Sequence, residues 1–339
     1  MNQYRLKNCV WEITLACCFS CRHCGSRAGR ARENELSTEE CLDVARQLSE
    51  LGCRRVSLIG GEVFMRDDWA LIIKSLTDYG ISASIITNGF DFDDHIINRL
   101  REICIESIAI SIDGTEDIHD FMRQKGSYSR ALRAVDKLNS AAIPVSVITT
   151  LNSMNIQCLE EMRSVLLQKD IMVWQIQACS PMGNAVKTGI DYSFDHKQAI
   201  RFVEEHMYDA PLAIGVADNI GYYSESEGSL RGNTSGRAYF RGCGAGLDSV
   251  GIDSIGNVRG CESMYSDIFI EGNLRDRSLK SIWDDPDAFS YNRKFTNDLL
   301  TGSCAGCIYG SICAGGCRSY NYFTSGELYN HKDCVITGV

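Results

Sequence analysis

The sequence of 339 residues has no apolar run of about eighteen residues, so it predicts no helix that spans a membrane. Its N-terminal segment, MNQYRLKNCVWEITL, lacks the basic and then apolar regions of a secretory signal. Positive charge is also scarce, because 34 Lys and Arg face 44 Asp and Glu and give a formal net charge of −10. Nucleic-acid phosphates require Lys and Arg. We therefore expect a cytoplasmic protein that binds neither membranes nor nucleic acids.

Cysteine, in contrast, is abundant, with 17 residues of this type. An odd number fits disulfide pairing poorly, and without a secretion signal the chain is expected in a reducing compartment. The cysteines also fall in groups with short gaps, which is typical of metal ligands in an intracellular protein. The composition therefore favours metal centres over a disulfide framework.

The most informative group is Cys17, Cys21 and Cys24 in the segment ITLACCFSCRHCGSRAG, with the spacing C-x3-C-x2-C. Three thiolates supply three of the four protein ligands of a [4Fe–4S] cluster and leave one iron open. Cys18 is extra and does not change the spacing. The alternative is a zinc site in which His23 serves as the fourth ligand. Spacing alone leaves both interpretations open.

Hydrophobic patterning predicts six strand–helix units over the first two thirds of the chain. The predicted strands are 9–15, 55–59, 81–87, 107–112, 145–150 and 171–177. Repeated units of this kind imply a parallel sheet with right-handed crossovers. Polar residues follow the strand ends, where such sheets build their sites. A partial barrel of six units is expected, and a full eight-unit barrel or a flavodoxin-like sheet is the alternative.

The pattern changes at Pro211, so we predict one domain over 1–210 and a second over 211–339. The second domain is rich in Gly, Ser and Tyr, and its 215–242 segment is predicted to be mostly loop. Such a composition builds little apolar core and needs covalent or metal staples. Seven cysteines are available for this purpose: Cys243, Cys261, Cys304, Cys307, Cys313, Cys317 and Cys334.

The cysteine triplet after an apolar strand resembles the cluster loop of the radical S-adenosylmethionine (radical SAM) enzymes. This resemblance implies the partial (β/α)6 barrel of that family. It also implies that the open iron chelates SAM through its amino and carboxylate groups, and that the reduced cluster cleaves SAM to a 5′-deoxyadenosyl radical.

Residues after the second strand resemble the family's GGE motif, here Gly60, Gly61 and Glu62. The resemblance implies that Glu62 binds the SAM amino group, and glycine allows the backbone to approach a ligand closely. Val63 replaces the usual proline. Without the cysteine triplet, a glycine turn with a solvated glutamate would explain the same residues.

Further SAM contacts are implied at later strand ends. Ser111 and Asp113 are expected on the same side of the fourth strand, near the ribose. The segment around Arg123 resembles peptide-modifying members, and the resemblance implies a pair between Arg123 and the SAM carboxylate. His23 is expected near the adenine, and Gln177 is expected on the substrate-facing side of the sixth strand.

The C-terminal cysteines match the seven-cysteine pattern of the SPASM domain, which carries auxiliary [4Fe–4S] clusters. The resemblance implies that one cluster has four ligands, namely Cys304, Cys307, Cys313 and Cys334. It implies three ligands for the other, namely Cys243, Cys261 and Cys317. The chain has no eighth cysteine between Cys243 and Cys261, so one iron is open or takes an oxygen ligand such as Asp248 or Asp253. A pair of zinc sites is the alternative.

Two residues are candidates for the chemistry itself. Glu262 follows Cys261, at a position where sulfatase-maturating relatives have an aspartate base. Cys179 follows the sixth strand and is a candidate donor of a hydrogen atom to a substrate radical. A solvated carboxylate and a buried thiol are the plain alternatives.

The family resemblance implies an enzyme that uses three [4Fe–4S] clusters and SAM to abstract hydrogen from a peptide or protein. The product would be a crosslink, a thioether, an epimerised residue or an oxidised side chain. The alternatives are a small-molecule intermediate as substrate and a non-enzymatic iron–sulfur or zinc protein. A reductant such as flavodoxin or ferredoxin is the implied partner. Since the first strand begins by residue 9, we expect either a substrate without a leader or a separate leader-binding protein.

Overall fold

The computed structural model describes residues 4–235 and 239–336. Its strands are β1 Asn8–Glu12, β2 Arg55–Ile59, β3 Ser82–Thr87, β4 Ser107–Ser111, β5 Val145–Leu151, β6 Val173–Ala178, β7 Ala213–Val216, β8 Ser249–Ile252, β9 Asn257–Arg259 and β10 Gly272–Asn273. They form one sheet in the order β10-β9-β8-β1-β2-β3-β4-β5-β6-β7. The pairs from β8 through β1 to β7 are all parallel, and β9 and β10 add an antiparallel edge. The ends of this order, β7 and β10, do not pair with each other.

Helices connect the strands and cover one face of the sheet. They are α1 Thr38–Glu50, α2 Trp69–Asp78, α3 Asp94–Glu102, α4 Glu116–Met122, α5 Ser127–Ser140, α6 Leu159–Leu166, α7 Asn184–Thr188, α8 His196–His206, α9 Glu227–Ser235, α10 Leu279–Trp283, α11 Ser290–Arg293, α12 Gly310–Cys313 and α13 Arg318–Ser325. Short 3-10 helices lie at Val63–Met65, Ile156–Cys158, Asp267–Phe269, Asn297–Leu299 and Gly302–Cys304.

Side chains alternate along the strands between a buried face and a half-buried face. In β3 and β5 every second residue is buried. The buried residues pack with the helices in one large apolar core, because branched residues on a pleated face pack well against helices. The opposite, half-buried face carries hydrogen-bonding groups, as in the bond between Ser57 Oγ and Ser84 Oγ (3.0 Å). This second face is the one available to a ligand.

The predicted partial barrel is confirmed, and the six predicted strand–helix units are present. Two further parallel strands, β7 and β8, extend the sheet beyond those units. The segment 215–242 is not only loop, because it contains α9. The domain boundary at 210 stays a prediction, and β7 lies just after it in the sequence.

No helix in the described ranges is both long and apolar enough to cross a bilayer.

Candidate iron–sulfur and cofactor sites

The loop between β1 and α1 holds Cys17, Cys21 and Cys24 at the carboxyl end of the sheet. Backbone N–H groups already point at two of the sulfurs. The N–H of Phe19 donates to Cys17 Sγ (3.4 Å), and the N–H of Ala28 donates to Cys24 Sγ (3.3 Å). Such donors stabilise the thiolate form that iron requires. The loop is therefore shaped around its sulfur atoms.

Gly60 and Gly61 are required by the cysteine loop itself. A Cβ on Gly60 would lie 2.4 Å from Thr14 O, and one on Gly61 would lie 2.1 Å from Ala16 O. The N–H of Gly61 donates to Thr14 O and the N–H of Glu62 to Ala16 O, both at 2.8 Å. The close approach that these glycines allow in the structure is thus to the chain's own backbone, which fixes the cysteine loop beside Glu62.

Glu62 is a fully buried carboxylate at the centre of this region. It accepts hydrogen bonds from Thr87 Oγ1 (2.9 Å to each oxygen) and from the N–H of Asn88 (2.9 Å). Burial raises its pKa to about 7. Within the ranges that the structure describes, no Lys or Arg lies within 4.0 Å of Glu62. A buried carboxylate without a cation is suited to an ammonium ligand, as expected for SAM.

Asp113 is the centre of a second buried group of polar residues, and the sequence did not predict its contacts. Its carboxylate accepts from Arg123 Nε (2.6 Å) and the N–H of Thr150 (2.8 Å), and it contacts His23 Nε2 (3.2 Å). Burial alone would raise its pKa, but the charges of Arg123 and His23 hold the pKa well below the usual carboxyl value. Asp113 therefore orients Arg123 and His23, and its predicted place near the ribose stays a prediction.

Ser111, Thr150 and Gln177 lie at the ends of β4, β5 and β6 on the half-buried face. Gln177 Nε2 donates to Thr150 Oγ1 (3.0 Å). Cys179 follows β6 and is buried, with 2% of its surface exposed. Burial raises its pKa to about 12, so it is a thiol. A thiol is the form that could donate a hydrogen atom, and this role stays a prediction.

The second auxiliary site is a pocket lined by the four cysteines predicted to act together. These are Cys304, Cys307, Cys313 and Cys334. Tyr222, Tyr309 and His331 complete its wall. The N–H of His331 donates to Cys304 Sγ (3.3 Å). Four thiols around one cavity, with an N–H directed at sulfur, fit a cluster ligated entirely by protein.

Cys243, Cys261 and Cys317, the other predicted set, are also brought together. After burial, the charges of Cys243 and Cys261 are the main influences that raise the pKa of Cys317. Tyr291 packs against the same small apolar cluster as Cys243 and Cys261. Three thiols brought together fit a cluster with one iron that lacks a cysteine.

Asp253 is a poor candidate for the missing ligand. Its carboxylate accepts from Arg259 Nη1 (2.9 Å), Asn257 Nδ2 (2.9 Å) and the N–H of Asn257 (2.9 Å). These donors hold it against the β8–β9 turn. Asp248 pairs with Lys7 at 3.9 Å and accepts from Ser249 Oγ (2.9 Å). Its position beside Gly244, near Cys243 in the chain, leaves it as the oxygen ligand to test.

Glu262 lies in a buried acidic group with Glu12 and Asp253 rather than in solvent, so a solvated carboxylate is the wrong description. Neither of its oxygens has a hydrogen-bond partner among the described residues, and its nearest cation is Arg259 Nη1 at 4.0 Å. Burial and then the charge of Glu12 raise its pKa well above the usual value. This environment favours the protonated carboxyl group, whereas a base must be ionised. The base role stays a prediction.

The base role predicts that Glu262→Gln leaves SAM cleavage within about twofold of the parent rate and slows product formation at least about 100-fold, because proton transfer contributes that much. The measurement compares 5′-deoxyadenosine with modified substrate by mass spectrometry. Glu271→Gln is the matched control, since burial also raises the pKa of Glu271 in the same domain. Equal product from both variants would remove Glu262 from the reaction.

At the first site the unsatisfied Asn88 Oδ1 and His23 Nδ1 are the buried polar atoms that a ligand would satisfy. Asn88 Nδ2 also approaches Cys17 Sγ (3.7 Å) and Cys18 Sγ (3.6 Å). Thr87 and Asn88 carry little signal in the sequence, because a plain turn after β3 explains the same residues. The residues therefore fit a three-cysteine cluster with bound SAM, which supplies a 5′-deoxyadenosyl radical when reduced.

Family comparisons agree with this geometry. Residues 11–166 match the family model of the radical SAM superfamily, and residues 243–308 match that of the SPASM iron–sulfur cluster-binding domain. The chain belongs to the radical SAM superfamily. It is a radical SAM enzyme with a SPASM domain, its cofactors are iron–sulfur clusters and SAM, and a non-enzymatic or purely zinc-binding protein is excluded.

Individual relatives are similar along nearly the whole chain. Mycofactocin maturase MftC of Mycolicibacterium smegmatis is 28% identical over 93% of this chain and 79% of its own length. AdoMet-dependent heme synthase of Methanosarcina barkeri is 25% identical over 96% of this chain and 95% of its own. The crystal structure of Streptococcus suis SuiB bound to S-adenosylmethionine superposes with a TM-score of 0.79 at 17% identity, over 98% of this chain and 78% of SuiB. The last comparison supports the fold.

Proposed function

We propose that this radical SAM/SPASM enzyme abstracts hydrogen from a peptide or protein and so modifies it after translation. The observation that carries the proposal is the row of Ser111, Thr150 and Gln177 on the half-buried face of the sheet. Hydroxyl and carboxamide groups pair with the N–H and C=O groups of a peptide backbone. SuiB bound to precursor peptide SuiA, and anSMEcpe bound to a peptide, share the fold with TM-scores of 0.76 and 0.72.

The reductant in this proposal is a low-potential flavodoxin or ferredoxin, and a separate protein binds any leader sequence. The reaction takes place in the cytoplasm, because iron-binding thiolates persist in a reducing compartment. The predicted ligand sets place Cys17, Cys21 and Cys24 on the radical-forming cluster and the other seven on two auxiliary clusters. Glu62, with Arg123 oriented by Asp113, would hold SAM.

The test is anaerobic incubation of the loaded enzyme with SAM, dithionite and a short precursor peptide encoded beside its gene. We expect 5′-deoxyadenosine together with a peptide that loses two hydrogens, or takes up deuterium without another mass change. A Gln177→Ala variant should cleave SAM but modify the peptide at least about fivefold more slowly, since one lost hydrogen bond is worth about 1 kcal/mol or more. Gln198→Ala, which removes a half-buried carboxamide of α8 that is hydrogen-bonded to Gln157, is the control.

A small-molecule substrate is the second candidate, and the similarity to AdoMet-dependent heme synthase over 95% of that protein favours it. The same assay separates the two candidates when a modified tetrapyrrole replaces the peptide. Consumption of the tetrapyrrole with an unchanged peptide would overturn the peptide proposal.

A further inference from the structure

Arg318 is a buried cation in an unusual position, at the start of α13 and directly after Cys317. Its side chain has no exposed surface. No carboxylate in the described ranges lies within 4.0 Å of it, although a buried charge is normally paired. Its Nε and Nη2 atoms are buried and have no hydrogen-bond partner among the described residues. Burial of this guanidinium therefore costs desolvation free energy that no carboxylate in the described ranges offsets.

The guanidinium holds the loop that joins the two auxiliary sites. Cys313 belongs to the second cysteine set, Cys317 belongs to the first, and Ala314 and Gly316 lie between them. Arg318 Nη1 donates to Ala314 O (2.6 Å), Gly316 O (3.3 Å) and Leu328 O (3.1 Å).

The loop is strained, since Ala314 adopts a φ of 53°, which is unfavourable for a residue with a side chain. Gly315 and Gly316, with φ of 79° and 86°, continue this left-handed path. Arg318 therefore stabilises a backbone that sets where Cys313 lies relative to Cys317.

Cysteines from both sets flank the guanidinium, because the loop that it binds runs from Cys313 to Cys317. Its positive charge interacts most with Cys243, and then with Tyr329, Cys317 and Cys313. Its guanidinium carbon also lies 4.4 Å from the ring centre of Tyr329, which fixes the plane of its donors. Cluster sulfurs are acceptors, and hydrogen bonds and nearby charge set the reduction potential of a cluster.

We propose that Arg318 is the cation shared by the two auxiliary clusters, and that its unpartnered N–H groups are donors for cluster sulfur. A nearby positive charge stabilises a cluster that has accepted an electron. Removing the charge of Arg318 therefore lowers the reduction potentials of the auxiliary clusters. Arg318 is a positioning residue in this role, because it acts through the clusters and not on the substrate. The inference rests on the two cysteine sets alone and is independent of which substrate the enzyme modifies.

The experiment is a potentiometric titration of the loaded enzyme followed by electron paramagnetic resonance. The midpoint potential of at least one auxiliary cluster should be at least about 59 mV lower in Arg318→Met than in the parent. For one electron, this means that the ratio of reduced to oxidised cluster, measured at the parent's midpoint potential, is at least about tenfold lower in the variant. The SAM-binding cluster should titrate as in the parent. Arg293→Met is the matched control, because Arg293 is a half-buried arginine that lies 4.7 Å from the ring centre of Trp283, but the largest charge influences on it come from Tyr4, Glu271, Tyr291 and Asp284 and not from a cysteine.

Arg318→Lys completes the test, since it keeps the charge but not the planar donors. A fall in the auxiliary-cluster potential that is smaller in Arg318→Lys than in Arg318→Met supports the proposal. If Arg318→Met loads less iron, then normal loading in Arg318→Lys supports it as well. Parent-like potentials in Arg318→Met, or equal losses of iron in the Met and Lys variants, would overturn it, because the effect would then follow packing rather than charge.

Discussion

Cys24→Ala is expected to reduce 5′-deoxyadenosine formation to the level of an enzyme-free control. Cys24 Sγ already accepts an N–H bond from Ala28 in a loop that is bonded to the GGE segment, so the loop has little freedom to recruit another ligand. Three thiolates are the minimum set for a cluster that leaves one iron open. The iron content should fall from about twelve to about eight atoms per chain, since each cluster holds four.

Cys158→Ala is the matched control for that experiment, because Cys158 is a half-buried cysteine outside all three sets. It should keep its iron and its SAM cleavage. Unchanged iron content and cleavage in both Cys24→Ala and a Cys18→Ala, Cys24→Ala double variant would show that Cys24 is not a ligand. Loss in the double variant alone would show that Cys18 replaces Cys24.

Asp113→Asn is expected to have the second large effect, on both stability and SAM binding. The substitution leaves Arg123 buried without its anionic partner, and breaking a buried pair in this way costs about 3–5 kcal/mol. His23 loses the same partner, so both side chains beside the cysteine loop lose their fixed orientation. Anaerobic urea unfolding measures the stability, and the SAM-induced change in the cluster spectrum measures the binding.

The control is Asp117→Asn, which makes the same chemical change on the exposed face of α4. It should alter stability by less than about 0.5 kcal/mol. We expect Asp113→Asn to keep the iron that its cysteines bind. The SAM concentration that gives half of the spectral change should be at least tenfold higher than in the parent. Parent-like SAM binding in a destabilised Asp113→Asn would restrict Asp113 to a structural role.

Local signals made much of the fold predictable. The S-x-x-E pattern of Ser37 and Glu40 is readable in the sequence as a capping box, and both of its hydrogen bonds are present at the start of α1. The bounds of β2 agree with the predicted strand 55–59. The strand β7 was missed because its four residues are too few to show a period. The helix α9 was missed because Gly and Ser have low helix propensity. Its stability depends instead on tertiary contacts such as those of buried Arg231 with Ala217 O and Ile220 O.

The site also combines features that short sequence motifs predict with contacts between residues far apart in the chain, which they do not predict. The grouping of the C-terminal cysteines came from the resemblance to the SPASM domain, because spacing alone does not show that Cys317 belongs with Cys243 and Cys261, and the ligand sets stay a prediction. The pairing of Arg123 with Asp113 was not predictable, since it depends on how α4 returns over the end of β4. The surroundings of Arg318 were equally hidden, because nothing in the sequence shows that a charged residue is fully buried.

The most direct test of the central claim is to measure iron, sulfide and zinc in anaerobically reconstituted enzyme and then record its spin-resonance spectrum with and without SAM. The account predicts about twelve iron atoms, no stoichiometric zinc, and a SAM-dependent change confined to one cluster, which disappears in Cys24→Ala. About four iron atoms with zinc in the C-terminal sites, or a spectrum that SAM leaves unchanged, would contradict it.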